Sequence, residues 1–273
     1  MYKFILSCLP PVVVVCVLVT ACTDAEASIL PDASSPTPSS TATAPTRKTS
    51  TALMPSATPT EIAGISQLDV LLTATSAATS VPSICSPLAE HPLAELSEII
   101  SDPYHPPPPG KDDRHQGVDF SYYRRGERLS ILGAVVQSVL PGRVAAAIAD
   151  SFPYGNLVII ETALSELPVT LVDKLRLKSG ESVYSLYAHL ESPPQLILGE
   201  KIVACQPLGA VGKSGNAGVP HLHLEMRIGP ADQNFSAMAF YTVQASQTAR
   251  ENYLLWRTSG VFHHFDPMLV LRP

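Results

Sequence analysis

Residues 220–225 read PHLHLE, and this alternation decides the fold class of the 273-residue chain. Successive side chains of a β-strand point to opposite faces of a sheet, so alternating polar and apolar residues indicate a strand. His221, His223 and Glu225 then share one face, and the two leucines between them share the other. The run continues in β-forming residues to Ile228, which predicts a strand with histidines on its polar face.

Further short strands are predicted before this stretch. Turn signals rich in proline and glycine separate runs of β-forming residues, and no long amphipathic helices alternate with them. A mainly β domain is therefore expected rather than a βαβ sheet. The predicted elements are strands at 135–139, 143–148, 157–161, 183–189 and 221–228, short helices at 87–100 and 236–255, and a stiff proline-rich loop at 102–110.

Two more motifs carry side chains that can bind a metal. Residues 115–119 read HQGVD, where the central glycine lets His115 and Asp119 converge without a bulky group between them. The sequence YAHL places His189 on the polar face of another strand. A catalytic zinc takes three nitrogen or oxygen ligands and keeps a fourth position for water. His115, Asp119 and one histidine of the HLH pair would supply that set.

The motifs HxGxD, YAHL and PHLHLE, in this order, resemble the lysostaphin-type (LytM-like) zinc metallopeptidases, which cut peptides of bacterial cell walls. The resemblance runs from about residue 104 to residue 228. It implies a mainly β fold of antiparallel sheets, with a groove that carries the zinc site and short helices in insertions. It also implies an endopeptidase that depends on Zn²⁺. By this resemblance the metal ligands are His115, Asp119 and His223, and the catalytic histidines are His189 and His221.

Two insertions and one carboxylate bear on the groove and on the ligands. The insertions, at about 163–180 and 230–260, depart from the family pattern and affect the shape of the groove. Glu225 is expected to orient a ligand through a hydrogen bond to its outer nitrogen. The alternative is that Glu225 lies at a solvated strand end.

The N-terminal residues are predicted to be a targeting segment and a tether. Residues 1–21 have a short apolar run that ends in VTAC, which resembles a bacterial lipobox and makes Cys22 the predicted lipidation site. An uncleaved anchor and plain secretion are the alternatives. Residues 22–84 are rich in Ser, Thr, Pro and Ala and are expected to be disordered. The zinc metallopeptidase domain is then 85–273, held outside the cytoplasm at the membrane by its lipid.

Composition excludes other classes of protein. The formal net charge of −6 argues against a non-specific nucleic-acid binder, and five cysteines without a CxxC pair exclude a cysteine zinc finger. Residues 212–214 read GKS, but Pro207 stands where a phosphate loop needs glycine, so no nucleotide is expected. Cys85 and Cys205 are the cysteines left after the signal segment and the lipidation site, and they are predicted to form a disulfide.

The sequence is compatible with three functions. The first is an active endopeptidase that hydrolyses cross-link or stem peptides of peptidoglycan. The second is a non-catalytic module of the same fold that binds the cell wall or activates a separate hydrolase, and the third is an exported peptidase for soluble peptides. Non-catalytic relatives usually lack metal ligands, so the five filled positions favour the enzyme.

Overall fold

The structure is a computed structural model that describes residues 84–113 and 115–272. The predictions for residues 1–21, for Cys22 and for the tether up to residue 83 lie outside the described residues. Within the described part the chain forms ten strands: β1 (Ile100–Asp102), β2 (Val118–Phe120), β3 (Val135–Gln137), β4 (Gly142–Ser151), β5 (Gly155–Ala163), β6 (Glu181–Leu190), β7 (Lys201–Ile202), β8 (Pro207–Ala210), β9 (Leu222–Pro230) and β10 (His263–Phe265).

An eight-stranded antiparallel sheet forms most of the fold. Its strand order is β1-β2-β9-β6-β5-β4-β7, and β10 also pairs with β9. One edge of β9 pairs first with β2 and then with β10, while β6 runs along its other edge. Strands β3 and β8 form a separate two-stranded sheet. The predicted fold class, mainly β with antiparallel sheets, is confirmed.

Apolar residues cover both faces of the large sheet. One core packs against the face that carries Leu222 and Leu224 of β9. A second core, which contains Trp256 and Phe262, packs against the opposite face. Because β5 is buried on both sides, it is a near-continuous apolar run rather than an alternating one. Since Leu222 and Leu224 of β9 face the first core, the polar side chains that alternate with them point toward the second core.

The helix predicted at 87–100 is shorter than expected. Only Leu93–Glu98 is helical, as a 3-10 helix, and Ile100 already begins β1. Leu96 is the buried residue of this helix, Ile99 is its C-cap, and Ile100 belongs to the sheet. The spacing that indicated a longer helix therefore spans two elements.

Short helices lie in both predicted insertions. In the first, a 3-10 helix at Leu164–Glu166 precedes α1 (Val169–Leu175). In the second, α2 (Gln247–Arg257) begins and ends later than predicted. It begins at Gln247 because the hydroxyl of Ser246 caps this end by accepting from the Ala249 N–H at 3.1 Å. A last helix, α3 (Met268–Leu271), follows β10. None of the described helices has the length and apolar character needed to cross a membrane.

Cys85 and Cys205 form a disulfide in the structure. Their Cα atoms are 5.4 Å apart, within the range for such a bond. The backbone N–H of Cys85 donates to Val139 O at 2.9 Å, and that of Cys205 donates to Ser138 O at 2.9 Å. Both cysteines are thus held against the same short segment after β3.

Candidate metal centre and groove

Three side chains converge where β2 meets β9. Asp119 lies opposite His223 in the antiparallel register, and His115 lies just before β2. Nε2 of His115 is 3.0 Å from Oδ1 of Asp119 and 3.0 Å from Nδ1 of His223. Nδ1 of His223 is 2.8 Å from the same Oδ1. The structure therefore brings the predicted ligand set together at a single point.

Hydrogen bonds on the outer nitrogens orient both histidines of this set. Nδ1–H of His115 donates to the carbonyl oxygen of Pro103 at 3.0 Å, and Nε2–H of His223 donates to Oε1 of Glu225 at 3.1 Å. Each ring consequently turns a lone pair toward the other two ligand atoms. Three acceptors at such short separations repel one another unless a proton or a cation lies between them.

This set of donors fits zinc. Two imidazole nitrogens and one carboxylate oxygen are ligands that catalytic zinc sites use. Ligand atoms at the usual distances from a tetrahedral zinc lie about 3.3–3.4 Å apart. The observed separations of 2.8–3.0 Å are slightly shorter, so small side-chain movements would suffice.

The pKa values of the cluster follow from its hydrogen bonds. Burial opposes the charge of Asp119, but the bonds to His115 and His223 hold the pKa of its carboxyl well below its usual range. Burial also opposes a charge on His223, yet its bonds to Asp119 and Glu225 raise its pKa to about 9. At neutral pH the cluster thus holds a proton that a metal ion would displace.

Gly117 allows β2 to lie this close to β9. A Cβ on this residue would be 2.6 Å from the carbonyl oxygen of Leu224 and 2.8 Å from Cε1 of His223. His115 itself lies just before β2 and not in the strand. Two ligands nevertheless meet across a residue without a side chain, as the motif indicates.

The two predicted catalytic histidines lie beside the three ligands. The rings of His189 and His221 are 4.5 Å apart, centroid to centroid. Nδ1–H of His189 donates to Ser214 O at 2.8 Å, and Nδ1–H of His221 donates to Val219 O at 2.9 Å. Each ring therefore keeps Nε2 as its free acceptor, and Nε2 of His221 is 3.5 Å from Oδ2 of Asp119.

A β-bulge brings His189 to this side of the sheet. Tyr187 and Leu190 both point into the first core, although three positions separate them. The register of β6 against β5 shifts between these two residues, and His189 has a φ of 59°. A regular strand would turn His189 into the same core as Tyr187. Bulges often redirect side chains near active sites, and this backbone conformation costs about 1–3 kcal/mol.

The surroundings of His189 keep its ring neutral. Burial is the main cause, and the nearby His223 and His221 add to it, so that the pKa of His189 is lowered to about 3. At neutral pH this imidazole is therefore unprotonated, and its Nε2 keeps a lone pair.

Glu225 is fully buried beneath His223, so a solvated strand end is the wrong interpretation. Its Oε1 accepts from the Tyr154 hydroxyl at 2.7 Å as well as from His223. Its Oε2 accepts from Nε and NH2 of Arg227 at 3.0 and 2.6 Å and from Nε1 of Trp256 at 2.8 Å. Burial opposes the charge, but the arginine holds the pKa of Glu225 well below its usual value.

Two charged residues that no sequence motif indicates complete this network. NH1 of Arg257 donates to Oε1 of Glu225 at 3.0 Å, and Nε of Arg257 donates to Oδ1 of Asp112. Oδ2 of Asp112 accepts from the hydroxyls of Tyr253 and Tyr241 at 2.7 and 2.8 Å. Helix α2 is thus tied to the residues that support the metal centre.

A cavity of about 280 Å³ opens next to the ligands. Its walls include the three ligand side chains, both catalytic candidates, the turn at 153–154 and Asn216. Tyr253 and Arg257 of α2 form the remaining wall. The second insertion therefore contributes to the shape of the groove.

Residues 113–235 match the profile of peptidase family M23. The matched residues therefore correspond to an M23 peptidase domain. The match includes all five predicted site residues, and M23 enzymes are zinc-dependent hydrolases of peptidoglycan, so the family resemblance is confirmed. It ends before α2 and begins one residue after Asp112, so both Arg257 and Asp112 lie outside it.

Solved structures of M23 proteins are similar to this chain. The catalytic domain of lysostaphin from Staphylococcus simulans is 19% identical, with a TM-score of 0.40, over 67% of this chain and 99% of that one. A mutant catalytic domain of the prophage-encoded M23 protein EnpA from Enterococcus faecalis is 23% identical, with a TM-score of 0.34, over 50% and 85%. A zinc-containing peptidase from Vibrio cholerae is 23% identical, with a TM-score of 0.32, over 46% and 32%. A comparison with curated protein sequences gave no match.

Proposed function

We propose that this M23 domain is an active zinc endopeptidase that hydrolyses peptide bonds of peptidoglycan. The complete site carries this conclusion: three ligand atoms lie within 3.0 Å of one another, and two histidines stand beside them. A module that only binds the cell wall would need neither the ligands nor the paired rings. The cavity next to them offers room for a peptide.

His115, Asp119 and His223 would hold the metal. Bound zinc supplies a water of lowered pKa and polarises a carbonyl oxygen. Pro103 O and Glu225 keep the two ligand histidines in the tautomers that leave a lone pair for the metal. The carboxylate of Asp119 also offsets part of the positive charge that the centre acquires.

His189 and His221 form the acid–base pair. Their Nδ1 atoms are committed to backbone carbonyls, so their Nε2 atoms are the ones that exchange protons with water and with the leaving amine. The low pKa of His189 leaves its ring unprotonated at pH 7 and makes the protonated ring a ready proton donor to the leaving amine. The protonated ring can then stabilise negative charge that develops on the scissile carbonyl.

The N-terminal sequence supports a place outside the cytoplasm. The lipobox-like VTAC that ends at Cys22 fits a lipoprotein held at the membrane, where cell-wall peptides are accessible. Mass spectrometry of the native N-terminus should find a diacylated Cys22 as the first residue. An unmodified Cys22 would contradict the lipid anchor and would leave the peptidase proposal intact.

Digestion of purified peptidoglycan tests the activity. The zinc-loaded protein should release fragments with new amino termini, read by mass spectrometry, and His223→Ala should release none. His263→Ala is the matched control, since His263 is exposed on β10 and should not change the products. A protein that binds zinc but cuts no peptidoglycan would refute the proposal in favour of a binding or activating module.

A further inference from the structure

We infer that Arg257 of α2 is a positioning residue of the metal centre, which acts on the zinc ligands through Glu225 and Asp112. The inference rests on the proposed function, because it concerns the same centre. It goes beyond the family match, which ends at residue 235 and begins at residue 113. Arg257 and Asp112 therefore lie outside the residues that the family profile covers.

Apolar packing fixes α2 against the sheet. Trp256 is fully buried in the second core, where its ring packs at 5.3 Å from Phe262 and at 5.6 Å from Phe235. Its neighbour Arg257 is thereby held in the wall of the groove, with its side chain only 9% exposed. The position of the guanidinium is thus set by apolar packing as well as by its own hydrogen bonds.

Arg257 contacts Glu225 directly. NH1 of Arg257 donates at 3.0 Å to Oε1, the oxygen that also accepts Nε2–H of His223. Arg227 and Trp256 hold the other oxygen, Oε2. Each oxygen of the carboxylate therefore has its own arginine. Arg257 fixes the oxygen that determines the orientation and tautomer of His223.

Arg257 also contacts Asp112, which lies three residues before His115. Nε of Arg257 donates to Oδ1 of Asp112, and two tyrosine hydroxyls hold Oδ2. The guanidinium of Arg257 thus binds both Glu225, which orients the ligand His223, and Asp112, which precedes the ligand His115 in the chain. Losing it would loosen His223 and His115 together.

The size of the effect follows from the role of such outer contacts. Removing a hydrogen-bond partner of a metal-binding histidine typically weakens metal affinity by 10–100-fold. Arg257 is one contact further from the metal than Glu225, but it acts on two ligands. We expect Arg257→Gln to weaken zinc binding by about 10–100-fold.

Competition with a chromophoric chelator measures the zinc Kd of the full chain. Four proteins form a cycle: the wild type, Arg257→Gln, Glu225→Gln and the double variant. Because Arg257 acts through both Glu225 and Asp112, its substitution should weaken binding less in the Glu225→Gln background, where one of the two routes is already lost, than in the wild type. Equal losses in both backgrounds would show that Arg257 does not act through Glu225 and would overturn the inference.

Arg250→Gln is the matched control. Arg250 lies on the same helix, two turns earlier, and its guanidinium donates to the carbonyl oxygens of Ala245 and Thr242. Its replacement should leave the zinc Kd unchanged. If Arg257→Gln fails to fold, Arg257→Lys keeps the charge but has one nitrogen donor in place of three, and it should weaken binding by a smaller factor.

The outcomes separate this inference from the proposed function. A wild-type protein that binds no zinc would refute the proposed function. A wild type that binds zinc, with Arg257→Gln or Arg257→Lys at the same Kd, would refute the inference alone. A rise in KM for peptidoglycan peptides with an unchanged zinc Kd would also overturn it, and would assign Arg257 to substrate binding in the groove.

Discussion

Replacing Gly117 by alanine should disrupt the metal centre through a steric conflict that can be measured in the structure. The new Cβ would lie 2.8 Å from Cε1 of His223 and 2.6 Å from Leu224 O. Carbon atoms in favourable contact are about 3.5–4.0 Å apart, so β2 or the His223 ring must move by about 0.7 Å or more. The ligand atoms are only 2.8–3.0 Å apart, so this displacement is a quarter of their separation.

Two measurements should report the change. The zinc Kd of Gly117→Ala should rise by about 10–100-fold, because the outer hydrogen bond of His223 is displaced with the ring. Overpacking should also lower the free energy of unfolding by about 1–3 kcal/mol, seen as a lower Tm. Gly218→Ala is the control, since a Cβ there has no atom within 4 Å. Identical zinc Kd and Tm values for the two variants would refute the reasoning.

Three further predictions concern the bridge, the proton and the catalytic ring. The Cys85→Ser/Cys205→Ser variant should lose up to about 5 kcal/mol of stability for its loop of 120 residues, and should still bind zinc. Calorimetric unfolding measures this, and an unchanged Tm would contradict it. Zinc uptake at pH 7 should release about one proton, because the carboxylates beside His223 outweigh its burial and raise its pKa to about 9. Titration calorimetry in buffers of different ionisation enthalpy tests this, and heats that are independent of the buffer would count against it. His189→Ala should keep its zinc Kd but lose turnover by about 10²–10⁴-fold. Peptidoglycan digestion at the wild-type rate would remove its catalytic role.

Local patterns predict the parts of this site that lie on regular strands. The alternation in residues 220–225 places His223 and Glu225 on one face, and β9 has that face. Glycine at position 117 indicates a close approach, and the structure has one. These features depend on neighbouring residues in the sequence, so the sequence carries them.

Other parts depend on contacts between distant segments. The bulge at His189 arises from the register between β6 and β5, which alternation within one strand does not reveal. The pairing of Arg257 with Glu225 and Asp112 joins three segments through side chains. No spacing rule links such residues, and the helix that carries Arg257 could be predicted only in outline.

The bridge between Cys85 and Cys205 also determines how the domain would respond to a pulling force. Tension applied at residue 84 reaches Cys85 almost at once and passes through the covalent bond to Cys205. The residues between the two cysteines, 86–204, are then shielded from the load. In a single-molecule stretching experiment, the oxidised chain should lengthen by about 400 Å less than the reduced chain when it unfolds, at about 3.3–3.6 Å per residue.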